Sequence, residues 1–311
     1  MLASLRDLKQ YLGRTPTIED AIDFFDTTLD ELLKRGLWSR LLADAGIGEP
    51  IDAPDEQQLA KGLSRLSHIN CPQQISALTE YLQTNQPAAS TRAPALIEML
   101  HTTLWGTQHS ELTLDVAEQR LKANPSAVSD LNAVLGYCFK HSPLTMSPTS
   151  TAYNPLAIHA AYTRDEILVA LGHWSFNDRP SQREGVLHLK NRKLDVFFVT
   201  LQKSEDEYSP TTMYEDYLIS HELFHWQSQS NTSEQSQTGQ RYIRHSELGY
   251  TPLLFVRETK NLVSGLTAPY HFLGPCSYVS HTGSRPISIT WKLLHHVPTR
   301  LLRTMARQIA V

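Results

Sequence analysis

The chain has 311 residues, of which 41% are hydrophobic and 19% charged, with a formal net charge of −4. That size and composition allow one or two packed cores and exclude both wholesale disorder and a uniformly basic nucleic-acid coat. No apolar run reaches the ~18 residues of a membrane-crossing helix, the charged start MLASLRDLKQYLG does not read as a secretory leader, and Cys71, Cys138 and Cys276 are scattered without a CxxC pair, so a reducing, cytoplasmic setting is expected and no membrane partner.

Charge and pattern divide the chain near residue 150. Residues 1–150 hold 12 Lys and Arg against 18 Asp and Glu, whereas residues 151–311 hold 16 against 14 and 10 of the 14 histidines. The acidic half reads as short helices. Thr17 to Asp20 (TIED) looks like a capping start before Ile22, Phe25 and Leu29. Residues 30–45 place Leu32, Leu33, Leu37, Leu41 and Leu42 at helical spacing, interrupted at Gly36. The segments 55–66, 73–83, 93–105, 112–122 and 126–140 repeat the pattern, with breaker-rich loops at 85–94 and 141–150. This half, residues 1–150, carries no catalytic signature and reads as a helical coupling domain.

Residues 151–311 change period. A helix is predicted after Thr163 as N-cap, with Glu166 at the third helical position and Gly172 as terminator. Strand-like runs follow at Leu194–Leu201 and Thr251–Arg257. A hairpin is predicted from 270–280 and 285–293 around the turn at His281–Ser284, with Ile287, Ile289 and Trp291 on one face. The fold class expected is α+β: an all-helical first domain, then a curved sheet or small barrel with flanking helices.

Two short motifs suggest chemistry. His221-Glu-Leu-Phe-His225 matches HExxH, which on a helix places two histidines one turn apart for zinc, with Glu222 as general base. However, Ser228 and Asn231 stand where the metzincin extension needs Gly and His, and the segment that follows is poor helix material. Read as a strand, Leu223, His225 and Gln227 face one way and Phe224, Trp226 and Ser228 the other. His188-Leu-Lys190 with Asp195 fits the HxK-x4-D spacing of phospholipase-D-type nucleases, but occurs once where that chemistry uses two copies. An exposed turn before a strand accounts for it. No phosphate-binding GxxxxGK[ST] loop and no GxSxG elbow is present.

The strongest signal is a polar-aromatic tract from Val199 to Tyr242. Tyr208, Tyr214, Tyr217, Trp226 and Tyr242 lie among hydroxyls, amides and scattered cations. Such groups stack on planar bases, read base edges and hold phosphates; a polar loop region whose aromatics belong to the core is the plainer alternative.

The segments PLAIHAAYTRDEILVALG, REGV, FVTLQKSEDEYSPTTMYEDYLIS, LFHWQSQS, TGQRYI, LLFVRE and GSRPISITWKL resemble the uncharacterised C-terminal domain of certain bacterial DEAD/DEAH-type helicase proteins. They are similar to the C-terminal part of SauUSI-like type IV restriction enzymes, densely from about Pro155 to Leu293. In those enzymes a phospholipase-D-type nuclease and a helicase motor precede a helical coupling region and an SRA-like (PUA-like) domain that recognises modified cytosine. The resemblance implies that residues 151–311 form such a domain. It implies a function in modification-dependent restriction, by binding duplex DNA that carries 5-methylcytosine or a similar base and flipping that base out. The partners implied are the helicase and nuclease parts, in cis or trans. No cofactor or catalysis is expected in this chain itself; ATP and a divalent metal enter only if it is joined to a helicase–nuclease. The two other readings are an HExxH zinc hydrolase using His221, Glu222 and His225, and a protein-coupling module without DNA affinity.

On the restriction reading, Tyr214, Tyr217 and Trp226 are stacking walls, with Tyr208 and Phe224 behind them. Asp216 accepts from the cytosine amino group, its alternative being a helix-surface carboxylate. Gln227, Ser228 and Gln229 read the base edge or fill the vacated duplex position. Arg164, Arg183, Lys203, Arg241 and Arg257 contact phosphates, with an Arg257–Glu258 ion pair as the alternative for the last. Trp291, Phe197 or Phe198, and Phe255 are expected in the core.

Overall fold

The computed structural model describes residues 2–49, 54–84, 93–106, 112–144, 153, 155–202 and 216–305. The chain divides into two compact units, Met1–Pro180 and Ser181–Val311.

The first unit is helical: α1 (Leu2–Leu12), α2 (Ile18–Phe25), α3 (Leu29–Leu33), α4 (Trp38–Asp44), α5 (Glu56–Ser64), α6 (Pro72–Gln83), α7 (Pro94–Trp105), α8 (Leu114–Lys122), α9 (Pro125–Lys140) and α10 (Arg164–Ala170), with a two-residue strand β1 (Ala161–Tyr162) before α10. Local chemistry sets the boundaries. Capping boxes open α2 (Thr17 with Asp20), α3 (Thr28 with Glu31) and α10 (Thr163 with Glu166), each satisfying otherwise orphaned backbone N–H groups. Proline occupies the first turn of α6, α7 and α9, where its missing N–H costs nothing. The interruption expected at Gly36 is present: the residue, at φ 145°, lies between α3 and α4. Leu37 cannot cap α4, so Asp130 from α9 does, accepting from the Ser39 N–H at 3.0 Å and the Ser39 hydroxyl at 2.9 Å. Burial pushes that carboxyl up to about 6 despite these bonds.

Two buried histidines tie this unit together. His101 sits between Tyr81 Oη (2.8 Å from Nε2) and Trp105, whose Nε1–H donates to Nδ1 at 3.2 Å; burial lowers it to about 3, so it stays neutral. His68 Nε2 lies 2.8 Å from Glu166 Oε2, with both side chains almost wholly buried. Burial alone would discharge His68, but attraction to and hydrogen bonding with Glu166 outweigh it and hold the imidazole above its usual value; Glu166 is correspondingly lowered.

Among its described residues the second unit holds seven strands: β2 (Val186–Leu189), β3 (Leu194–Thr200), β4 (Tyr217–Leu218), β5 (Leu223–Gln227), β6 (Thr251–Arg257), β7 (Tyr270–Thr282) and β8 (Ser288–Leu293). Their order is β2-β3-β6-β7-β8-β5-β4, an open mixed sheet in which β3 and β6 run parallel and the other neighbours antiparallel. The chain is therefore α+β, as the sequence pattern implies. β7 is long enough to serve two partners, β6 up to Pro275 and β8 from Cys276 onwards.

The sheet curls around one core. Phe197 of β3 stacks on Trp226 of β5 with ring centroids 4.4 Å apart, although three strands separate them in the sheet order. Val199, Leu254, Val256, Phe224, Ile289 and Trp291 fill the same interior, each large side chain contributing about 1.5–3 kcal/mol through burial. Trp291, Phe197, Phe198 and Phe255 are buried, as expected. The polar stretch after β5 does form a helix, α11 (Gln237–Ile243), capped by Ser236 Oγ accepting from Gly239 N–H. A Cβ at Gly239 would collide with the Ser233 carbonyl, so the glycine is what lets α11 turn in so closely. Tyr242 then meets Phe197 and Trp226 edge-on, and α12 (Thr299–Met305) adds Met305 to the core.

Candidate nucleic-acid interface

The strands β4, β5, β8 and the end of β7 bury one face and expose the other. Along β5, Phe224 and Trp226 point into the core while Leu223, His225 and Gln227 are only half-buried. The register aligns the outward residues in rows across the strands. Tyr217 pairs with His225, His225 with Thr290, and Thr290 with Ser280. A second row is Gln227, Ser288 and Thr282, and a third is Leu223, Lys292 and Ser277. Tyr217 is 43% exposed and its ring stacks on His225, with centroids 4.7 Å apart and planes 11° from parallel. The outer face is thus hydroxyl- and amide-rich, with one flat aromatic pair in which Tyr217 is exposed and His225 half-buried.

Asp216 and Ser228 brace this face from beneath. Asp216 is buried, and its Oδ1 accepts the Gln227 backbone N–H at 2.9 Å, tying the start of β4 to the end of β5. It is therefore a strand clamp, neither a helix-surface carboxylate nor a solvent-facing acceptor. Ser228 is fully buried; its Oγ accepts from Ile287 N–H at 2.9 Å while its own N–H donates to Ile287 O at the same distance. Gln227 remains on the face, its Nε2 donating to Ser288 Oγ at 3.2 Å, and Gln229 is exposed just beyond the strand.

Several of the expected site residues serve elsewhere. Trp226, expected as a stacking wall, is 5% exposed and packs in the core, so it cannot wall an open pocket, and Phe224, expected behind the walls, is 0% exposed in the same core. Arg241 is committed to Asp195, its Nε donating at 3.1 and 2.9 Å to the two carboxylate oxygens. Arg257 is buried. It donates to Thr200 Oγ1 at 2.9 Å and to the carbonyls of Lys260 and Ala268 at 3.4 and 3.3 Å, and it lies 4.4 Å over the Tyr270 ring. It anchors the base of the β6–β7 loop, while Glu258 accepts from Gln202 Nε2 instead of pairing with it. Arg183 is exposed before β2, and Arg164 opens α10 in the first unit. Lys203, Tyr208 and Tyr214 lie outside the described residues.

The HExxH residues do not sit on a helix. His221 and Glu222 form a bend and His225 lies in mid-strand. His221 Nδ1–H donates to Val297 O at 2.7 Å and Glu222 Oε1 lies 3.1 Å from His296 Nε2. The one-turn stacking that a shared zinc requires is not formed. Among the described residues no group of three or more His, Cys, Asp or Glu is placed to hold a metal ion. The three cysteines are buried thiols whose ionisation burial disfavours. No helix among the described residues is long and apolar enough to cross a membrane.

The clamp on Asp216 was not foreseeable from its neighbours in sequence, since its partner lies eleven residues on across the β4–β5 turn. The pairing of Tyr217 with His225 was half-visible: the β5 alternation already put His225 on the face opposite Phe224 and Trp226, but the short β4 gave no signal of its own. No curated protein matches the chain. Residues 156–305, which span α10 and all strands from β1 to β8, are similar to a protein family described as a domain of unknown function, DUF3427.

Proposed function

We propose that this protein is the DNA-recognition part of a modification-dependent restriction system, and that the outer face of β4, β5 and β8 receives a modified cytosine drawn out of a duplex. The observation that carries this reading is the Tyr217–His225 stack, with Tyr217 exposed, on a face otherwise lined by Gln227, Ser280, Ser288 and Thr290. A flat aromatic surface accepts any base, at about 1–3 kcal/mol per stacked base, which offsets the few kcal/mol lost on flipping. Gln227 supplies the edge contact: with its Nε2 given to Ser288, its amide oxygen is left to accept from an exocyclic amino group. A 5-methyl group adds only about 0.8 kcal/mol of apolar burial, so selectivity needs close fit as well as area. The SRA-like character, the choice of 5-methylcytosine and the link to a helicase–nuclease rest on the resemblance carried by motifs such as LFHWQSQS, TGQRYI and GSRPISITWKL. The helical first unit is the part assigned to coupling.

The test is equilibrium binding of the full chain to a short duplex carrying 5-methylcytosine and to its unmodified twin. The methylated duplex is expected to bind several-fold tighter, and Tyr217→Ala to remove the difference. Equal affinity across a salt series contradicts the base-reading role. Stoichiometric zinc lost in His225→Ala would favour the hydrolase instead.

A further inference from the structure

The β2–β3 hairpin carries a cluster that the stacking face does not use. From Val186 to Leu194 the sequence is VLHLKNRKL, three cations and a histidine without an acid. The turn is a 3-10 segment, Lys190–Arg192, followed by Lys193 in the left-handed region at φ 54°. Lys190, Arg192 and Lys193 are all exposed.

The carboxylate nearest this turn on the hairpin has no charge to spare. Asp195, opposite His188 in the β2–β3 register, is fully buried. It receives Arg241 Nε on both oxygens and lies 3.0 Å from His188 Nδ1. A carboxylate only accepts, so Nδ1 carries the proton. Arg241 therefore neutralises Asp195 inside the fold and leaves it nothing to offer the turn. Tyr250 fixes the arrangement. His188 stacks on its ring at 5.3 Å, Lys193 Nζ sits 4.7 Å from its centroid and Arg241 Cζ 5.8 Å. The Thr251 N–H donates to Lys193 O at 2.8 Å, which holds the turn against β6. Cations held over an aromatic ring are presented at defined positions and lose less freedom on binding.

We propose that the β2–β3 turn, through Lys190 and Lys193, grips the sugar–phosphate backbone of the nucleic acid. This rests on the nucleic-acid reading of the stacking face and divides labour with it. The turn supplies sequence-blind attraction and register, and the face supplies discrimination. It also replaces Arg241 and Arg257 as phosphate contacts, since both are consumed within the fold.

The experiment compares the full chain with a Lys190→Gln, Lys193→Gln double variant on the methylated and unmodified duplexes over a potassium chloride series. The double variant is expected to flatten the slope of log K against log salt by about 2, near 0.9 for each phosphate no longer neutralised. It should weaken both duplexes by the same factor and keep the methyl preference. Tyr217→Ala should do the reverse, abolishing the preference at unchanged slope. In the unmodified protein, Lys190 and Lys193 should be protected from an amine-acetylating reagent when duplex is bound, a readout that needs no variant to fold. An unchanged slope, or lysines acetylated equally with and without duplex, overturns the hairpin proposal while leaving the stacking face standing. Failure of the unaltered chain to bind either duplex at low salt overturns both.

Discussion

The two faces of β5 carry adjacent residues with opposite duties. Phe224 and Trp226 are sealed in the core, while His225 and Gln227, one step along in each case, stand on the outer surface beside Tyr217. A run such as ELFHWQSQ is therefore not one functional motif. Its odd and even positions answer to different pressures, one set to packing density and the other to whatever the surface meets. A tryptophan in such a run draws attention as a stacking residue, yet here the less conspicuous His225 and Tyr217 form the outer stack.

Substitutions sharpen this contrast. The largest effect is expected from Trp226→Ala, which removes the ring stacked on Phe197 and should cost about 3–5 kcal/mol in a denaturant titration. Next comes Asp195→Ala. It strands Arg241, whose side chain is only 13% exposed, and should cost about 3 kcal/mol in the same assay. Thr163→Ala should cost about 1 kcal/mol by opening the α10 cap. Tyr217→Ala sits at the bottom of the stability scale, within about 0.5 kcal/mol of the unaltered protein, while having the largest effect on base preference. Were Tyr217→Ala to destabilise the protein as much as Trp226→Ala, the division between the faces would fail.

The first unit adds a pH test. His68 is raised from 6.5 and Glu166 lowered from 4.5 by their mutual contact. The sign follows from which state holds the proton more tightly. The His68 contribution is complete below pH 6.5 and is lost as pH rises through the folded histidine's higher value. The Glu166 contribution is complete above pH 4.5 and is lost as pH falls through the folded carboxyl's lower value. Stability from this pair is thus whole between those two values. Glu166→Gln should flatten the dependence on both sides, measured by urea midpoints across pH.

Local signals were legible where local chemistry decides the structure. Thr163 with Glu166, the break at Gly36, and the β3, β6, β7 and β8 runs are all written in neighbouring residues. The alternation of β5 was readable too, but not which of its faces would be inside, because that depends on Phe197 of β3 arriving from the far side of the sheet. The fates of Arg241 and Arg257 were hidden for the same reason. A cation looks like a surface contact until its partner appears, and Asp195 lies 46 residues before Arg241. α1 escaped notice because only Leu5 and Leu8 of its described side chains are buried, a stripe too thin to stand out among its charges. α11 is built from residues of weak helical preference and exists through its Ser236 cap and the packing of Tyr242.

The most direct test of the stacking face is photocross-linking. A duplex with 5-iodocytosine, whose halogen takes the place of the methyl group, is bound to the full chain and irradiated, and the adduct is mapped by peptide mass spectrometry. An adduct on Tyr217 or His225, competed away by the 5-methylcytosine duplex, is the predicted result. Adducts confined to the helical first unit, or none on the β4–β5 segment, would contradict it.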